Sequence, residues 1–168
     1  MNRYSTFVPR LMAGVVDTLV FIPIGYLDDF LLAPQRSTQV LIVWSIVTYS
    51  AFWLYSVLLH ARFGQTLGKM VMHIKVLDLS EQAIPSIRQA ILRDSGYILL
   101  NTLTLIYTIQ LILKGKYVQG SETSSMPGEV LIWASVGWFV LELVTMATNQ
   151  KRRALHDFIA GTVVVRGA

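Results

Sequence analysis

Three polar side chains stand inside otherwise apolar stretches: Asp17 in the run 11–27, Asn101 in the run 95–113 and Glu142 in the run 129–149. On insertion scales a carboxylate at the centre of a membrane span costs roughly 2.5–3.5 kcal/mol, so such a residue faces a bundle interior, is paired or protonated, or lies on an ion path. Counted from the edges implied by flanking charges, each sits about seven or eight residues in, or about 10–12 Å deep at ~1.5 Å per residue. Helices running in alternate directions then place two carboxylates and an amide in one layer. Two carboxylates sharing a site do not both ionise cheaply, so one holds a proton that it can exchange for a small monovalent cation. The competing reading buries each alone, protonated or hydrogen-bonded to Ser50, Thr102 or Thr145 as a link between helices.

Other chemistries find less support. The segment Gly64-Gln65-Thr66-Leu67-Gly68-Lys69 resembles a phosphate loop only in outline: its glycine spacing is one residue short, Met70 stands where Ser or Thr is required, and no buried parallel strand precedes it. A tight turn into a short interfacial helix is the better account. His60, His73 and His156 show no metal-ligand spacing, so no metal site is expected. Cysteine is absent, which removes thiolate chemistry. With no nucleophile and base arrangement either, the chain is not expected to be an enzyme, and no cofactor is expected.

These residues must be positioned by membrane helices. Of 168 residues 54% are hydrophobic and only 14% charged, and the mean hydropathy is +0.54, too apolar for an ordinary soluble domain. We expect an all-α membrane protein with four spans near 9–32, 38–60, 95–113 and 129–149, in a single domain over 1–168 and within a lipid bilayer. Arg3 and Arg10 precede the first span, five basic residues lie between the second and third, and Lys151, Arg152, Arg153 and Arg166 follow the fourth. The two opposite loops hold only Arg36, Lys114 and Lys116. That asymmetry places both termini, the 61–94 loop and the 150–168 segment in the cytoplasm. The net charge of +4 thus reports topology and not a nucleic-acid partner. The N-terminus lacks the cleavage site of a secretory signal and is kept as a span.

Local signals fill in the frame. Pro9 suits the first turn of the first span, Pro23 should kink it, and Pro127 suits the start of the fourth. Trp44, Tyr49, Trp53 and Tyr55 read as packing and interface anchors. Met72-His73-Ile74-Lys75-Val76 alternates as a half-exposed strand does, and Thr162-Val163-Val164-Val165-Arg166 is its expected partner in a small cytoplasmic β element. Pro85 and Ser86 open a helix over 87–93, expected to lie along the interface before the third span enters. The 114–126 loop is polar and contains Gly and Ser.

Arg10, Ala13 and Asp17 fall on one helical stripe beside Gly14, so that stripe faces protein. Arg10 and Asp17 are about 10 Å apart along the axis at ~1.5 Å per residue, too far to pair directly, so other segments must complete each charge. His156 and Asp157 lie at the same edge as Arg10, which makes Arg10 to Asp157 the expected pair. It serves either as a staple for the C-terminal segment or in transport.

Three stretches together resemble the RDD family of small bacterial membrane proteins, named for one arginine and two aspartates. They are Arg10-Leu11-Met12-Ala13-Gly14-Val15-Val16-Asp17; the 64–69 segment with Ile74-Lys75-Val76; and Lys151-Arg152-Arg153-Ala154-Leu155-His156-Asp157 through Val164. By this resemblance Arg10, Asp17 and Asp157 are the signature residues. It implies a bacterial inner-membrane location and a transport role, with sodium/proton antiport attributed to some members. The leading expectation is exchange of small cations for protons through an acid-lined cavity on the cytoplasmic side. The alternative is a non-transporting accessory, scaffold or stabilising subunit. Four spans are few for a stand-alone transporter, so a homo-oligomer or a partner membrane protein is implied.

Overall fold

The computed structural model describes residues 3–33, 35–117 and 126–167. The chain begins with α1 (Phe7–Val20) and α2 (Ile22–Leu31), which are bent by 44° at Phe21. Pro23 occupies the first turn of α2, where its missing N–H does no harm to α2 but ends the ladder of α1. The expected kink is therefore a break between two helices. At the far end Asp28 accepts hydrogen bonds from Trp44 Nε1 (2.6 Å) and Thr48 Oγ1 (2.8 Å), tying α2 to the next helix.

That helix, α3 (Thr38–Phe63), starts on a Ser37 cap and ends at Gly64 in the left-handed conformation (φ +70°). A short α4 (Leu67–Val71) leads into β1 (Ile74–Asp78). His73, at φ +53°, turns the chain out of α4, so the strand begins at Ile74 and not at Met72. Next come α5 (Ile87–Leu113), α6 (Met126–Thr148), α7 (Leu155–Ala160) and β2 (Thr162–Arg166). Most of the polar 114–126 loop, residues 118–125, lies outside the described residues.

One element departs from expectation. The 87–93 helix is not a separate interfacial piece, because α5 runs unbroken from Ile87. Ser86 and Gln89 form a reciprocal capping box at its start, and nothing between residues 93 and 97 breaks the ladder. Gly96, the weakest helix former there, gives room instead for the Trp138 ring of α6, which a Cβ would strike.

By length and composition α3, α5 and α6 can each cross a membrane, and the bent pair α1–α2 makes a fourth span if taken as one. Large apolar side chains such as Val43, Leu58, Leu99 and Trp133 point outward, a surface that suits lipid and not water. Inside the bundle α5 packs against α3, α6 and α7, while α4 lies on α1. The strands β1 and β2 pair antiparallel with Val76 opposite Val164. Ile74, Val76 and Val164 bury against Ala13 of α1, and Leu77, Val163 and Val165 cover the other face with Tyr4. This two-stranded sheet closes one end of the bundle, and the site lies just above it.

Candidate functional site

Asp17 is buried and spoken for. Its Oδ1 accepts from Tyr55 Oη (2.7 Å) and the Gly68 amide (2.7 Å), and its Oδ2 from Thr66 Oγ1 (2.6 Å). Tyr55 Oη in turn accepts the Leu67 amide, and Thr66 Oγ1 caps Lys69. The carboxylate therefore gathers the start of α4, whose first amides have no partner within the helix. Gly68 permits this approach, since a Cβ there would overlap the Ala13 carbonyl and crowd the Asp17 carboxyl group. Gln65 donates to the Ile74 carbonyl (2.9 Å), and the Val76 amide donates to the Gly64 carbonyl (2.8 Å). The 64–69 motif thus fastens α3, α4 and β1 to α1.

The Arg10 and Asp157 pair is present. Arg10 Nη1 meets Asp157 Oδ2 at 2.6 Å, both side chains buried. A second cation, Arg93 of α5, closes on Asp157 Oδ1 and also donates to Thr162 Oγ1 (3.1 Å). The Ala154 amide and the Thr162 hydroxyl complete the carboxylate. Burial alone would push Asp157 up, but the Arg10 and Arg93 charges, with His156 and the Ala154 amide, hold it well below the usual carboxylate range. Arg153 adds donors to the Asp157 and Thr162 carbonyls.

Above this layer, α1, α3, α5 and α6 line a half-open cavity of about 190 Å³. Asp17 and Glu142 both line it. Asn101 does not: it is half-buried and donates to the Tyr97 carbonyl on its own helix (2.8 Å), which removes it from the expected layer. Thr145 and Ser50 likewise bond carbonyls of their own helices, so neither hydroxyl is given to the Asp17 or Glu142 carboxylate. Asp94 and Tyr97 occupy the wall on α5 instead.

Glu142 Oε2 contacts His156 Nδ1. On the opposite wall His60 Nδ1 lies 3.1 Å from Ser56 Oγ and 4.0 Å from Asp94 Oδ2. Several buried atoms here have no hydrogen-bond partner: Arg10 Nε and Nη2, His60 Nε2, Asp94 Oδ2 and Glu142 Oε1. Buried polar atoms are nearly always satisfied, so a concentration of exceptions around one cavity marks a place where something polar is met. Lys69 also faces the cavity; burial, and then Arg93, lower its pKa from 10.5 to about 8 against the pull of Asp17 and Asp94. Burial and Arg93 likewise push His156 down, opposed by Asp157 and Glu142.

Sequence reasoning missed Arg93, Asp94, Ser56 and His60. The signals were present: Ser56 and His60 are one turn apart inside an apolar span, and Asp94 shares a helical stripe with Asn101 at a spacing of seven.

A family model described as RDD family matches residues 4–161 of the chain. No curated protein and no solved structure matches it.

Proposed function

Because the chain belongs to the RDD family, we propose, taking that membership as premise, that its cavity exchanges protons for small cations across a bacterial inner membrane. One observation carries the reading. Glu142 Oε1 and Asp94 Oδ2, on two helices that pack together, are both buried beside the same cavity without a hydrogen-bond donor. An anionic oxygen so placed is costly, and either a proton or a cation relieves it. The two ligands then compete for the same oxygens, which is the coupling an antiporter requires. His156 and His60 stand next to these acids and provide ring nitrogens through which a proton can pass to or from them. Asp17 holds the framework in this reading and does not carry the proton, since its carboxylate already accepts three hydrogen bonds.

Flux of Na⁺, Li⁺ and K⁺ in proteoliposomes under an imposed pH gradient tests the proposal. Wild type should exceed empty liposomes, and Glu142→Gln and Asp94→Asn should not, because an amide keeps the shape but cannot carry a proton. Absence of flux in correctly folded wild type would reject it.

A second reading has its own observation. Arg10, Asp17 and Asp157 all serve to hold α4, α7 and the sheet under the bundle. That would equally suit an accessory protein, acting as a homo-oligomer or a subunit that presents its sheet face to a partner membrane protein.

A further inference from the structure

The polar atoms around the cavity are not all of one kind. Arg10 Nε and Nη2 are obligatory donors, since a guanidinium does not lose its proton in proteins. Asp94 Oδ2 and Glu142 Oε1 are acceptors when ionised, and all four atoms are buried without a hydrogen-bond partner. The side chains of Arg10 and Glu142 are only 7% and 6% exposed. A bare monovalent cation would answer the two carboxylates and leave Arg10 unanswered. A simple anion would answer Arg10, with Lys69 beside it on the cavity wall, and be repelled by both acids. A single molecule carrying an ammonium and an anionic group answers both ends at once.

We infer that this cavity binds a small zwitterion, with its ammonium between Asp94 and Glu142 and its phosphate or carboxylate on the free edge of Arg10. The inference rests on the reading of Asp94 and Glu142 as groups that meet positive charge, and adds an anionic end to the molecule that brings that charge. Size does not stand against it: a cavity of about 190 Å³ has room for a small solute. The lining is also mixed in the way such a ligand needs. Phe52, Phe139 and Leu143 add apolar side chains to the lining, as is usual where a few polar groups fix orientation in a largely apolar pocket. His60 Nε2, which has no partner, donates or accepts according to tautomer and so fits either end. The chemistry is shared by soluble aminophosphates or amino acids and by an aminophospholipid headgroup.

Calorimetric titration of the full chain in phosphatidylglycerol nanodiscs tests this without any substitution. Phosphoethanolamine or glycine should bind at least tenfold more tightly than ethanolamine or inorganic phosphate, which carry one end each. Loss of soluble-ligand binding in nanodiscs containing phosphatidylethanolamine would assign the site to the headgroup, still in support. Glu142→Gln and Asp94→Asn should weaken the zwitterion at least tenfold while strengthening the weak affinity for phosphate, since each removes a charge that repels the anion. Equal affinity for a half-ligand, or no binding by either zwitterion in both lipid compositions, overturns the inference. Na⁺ flux in liposomes with no zwitterion binding would sink this inference alone, while zwitterion binding without any flux would sink the exchange reading alone.

Discussion

Asp17 and Thr66 lie 49 positions apart and are joined by a 2.6 Å hydrogen bond from the threonine hydroxyl to the carboxylate. Through it a charge buried in the first membrane helix organises a turn that begins after the third element has ended. The bond is one of three onto the same carboxylate, and the other two come from Tyr55 of α3 and the Gly68 amide. Charge-assisted bonds of this kind are roughly twice as strong as neutral ones. Their loss should therefore loosen α4 and β1 together.

The first prediction concerns this junction. Asp17→Ala should lower unfolding stability in detergent by about 2–4 kcal/mol, because it leaves the buried Gly68 amide and two hydroxyls without their acceptor. Gly68→Ala should cost about 1–3 kcal/mol through overpacking, since the added methyl overlaps the Ala13 carbonyl. Thermal unfolding followed by circular dichroism would measure both. An unchanged midpoint for Gly68→Ala would mean that α4 does not lie against α1 as described.

Asp157 carries the second prediction. It neutralises Arg10 and Arg93 at once, so Asp157→Asn leaves two buried guanidinium groups facing each other. Breaking a buried pair from one side costs about 3–5 kcal/mol, and here the loss should exceed that of Arg10→Ala or Arg93→Ala, each of which removes one cation of two. Comparing the three variants for the amount of folded protein recovered is sufficient. Asp157→Asn accumulating better than either arginine variant would contradict the arrangement.

Much of this junction was legible beforehand. The stripe of Arg10, Ala13 and Asp17 marked a face turned to protein, and the basic cluster next to His156 and Asp157 put them at the same edge as Arg10. The β-branched run at 162–166 named its own partner strand, whose observed bounds lie two residues on from those expected. What escaped was tertiary. Arg93 counted as a loop charge because a charged pair at residues 93 and 94 reads as the end of hydrocarbon, yet Asp157 and the cavity let α5 carry both charges inside. Asn101 misled for the opposite reason: an amide can satisfy itself on the carbonyl one turn back, so depth alone does not bring it to a shared site.

The third prediction is topological. The Lys and Arg asymmetry predicts that the sheet end faces the cytoplasm, and the cysteine-free chain allows a direct assay with single cysteines at exposed positions. A cysteine replacing Gln82, beyond β1, should resist a membrane-impermeant maleimide in intact cells, and one replacing Lys116, past the end of α5, should react. Both residues are exposed, so accessibility does not confuse the result. The reverse pattern would invert the orientation.

The last prediction is a titration. Burial and the Arg93 charge lower the Lys69 pKa from 10.5 to about 8, so its ammonium should lose the proton well before that of Lys151, which Glu81 holds above the ordinary value. A folded pKa below the unfolded one means that the unfolded chain binds more protons between about 8 and 10.5. Stability should then rise with pH across that window, because the cost of keeping a charged Lys69 in the folded protein, fully present below about pH 8, is relieved as the proton leaves. Lys69→Gln should remove this part of the pH dependence, and Lys69→Arg should keep the cost at every pH, since arginine retains its charge. Carbon-13 methyl labelling of the lysines with detection by NMR would read the midpoint directly. A Lys69 midpoint above 10 would place its ammonium in water and away from Arg93, and the cavity wall would then have to be redrawn without it.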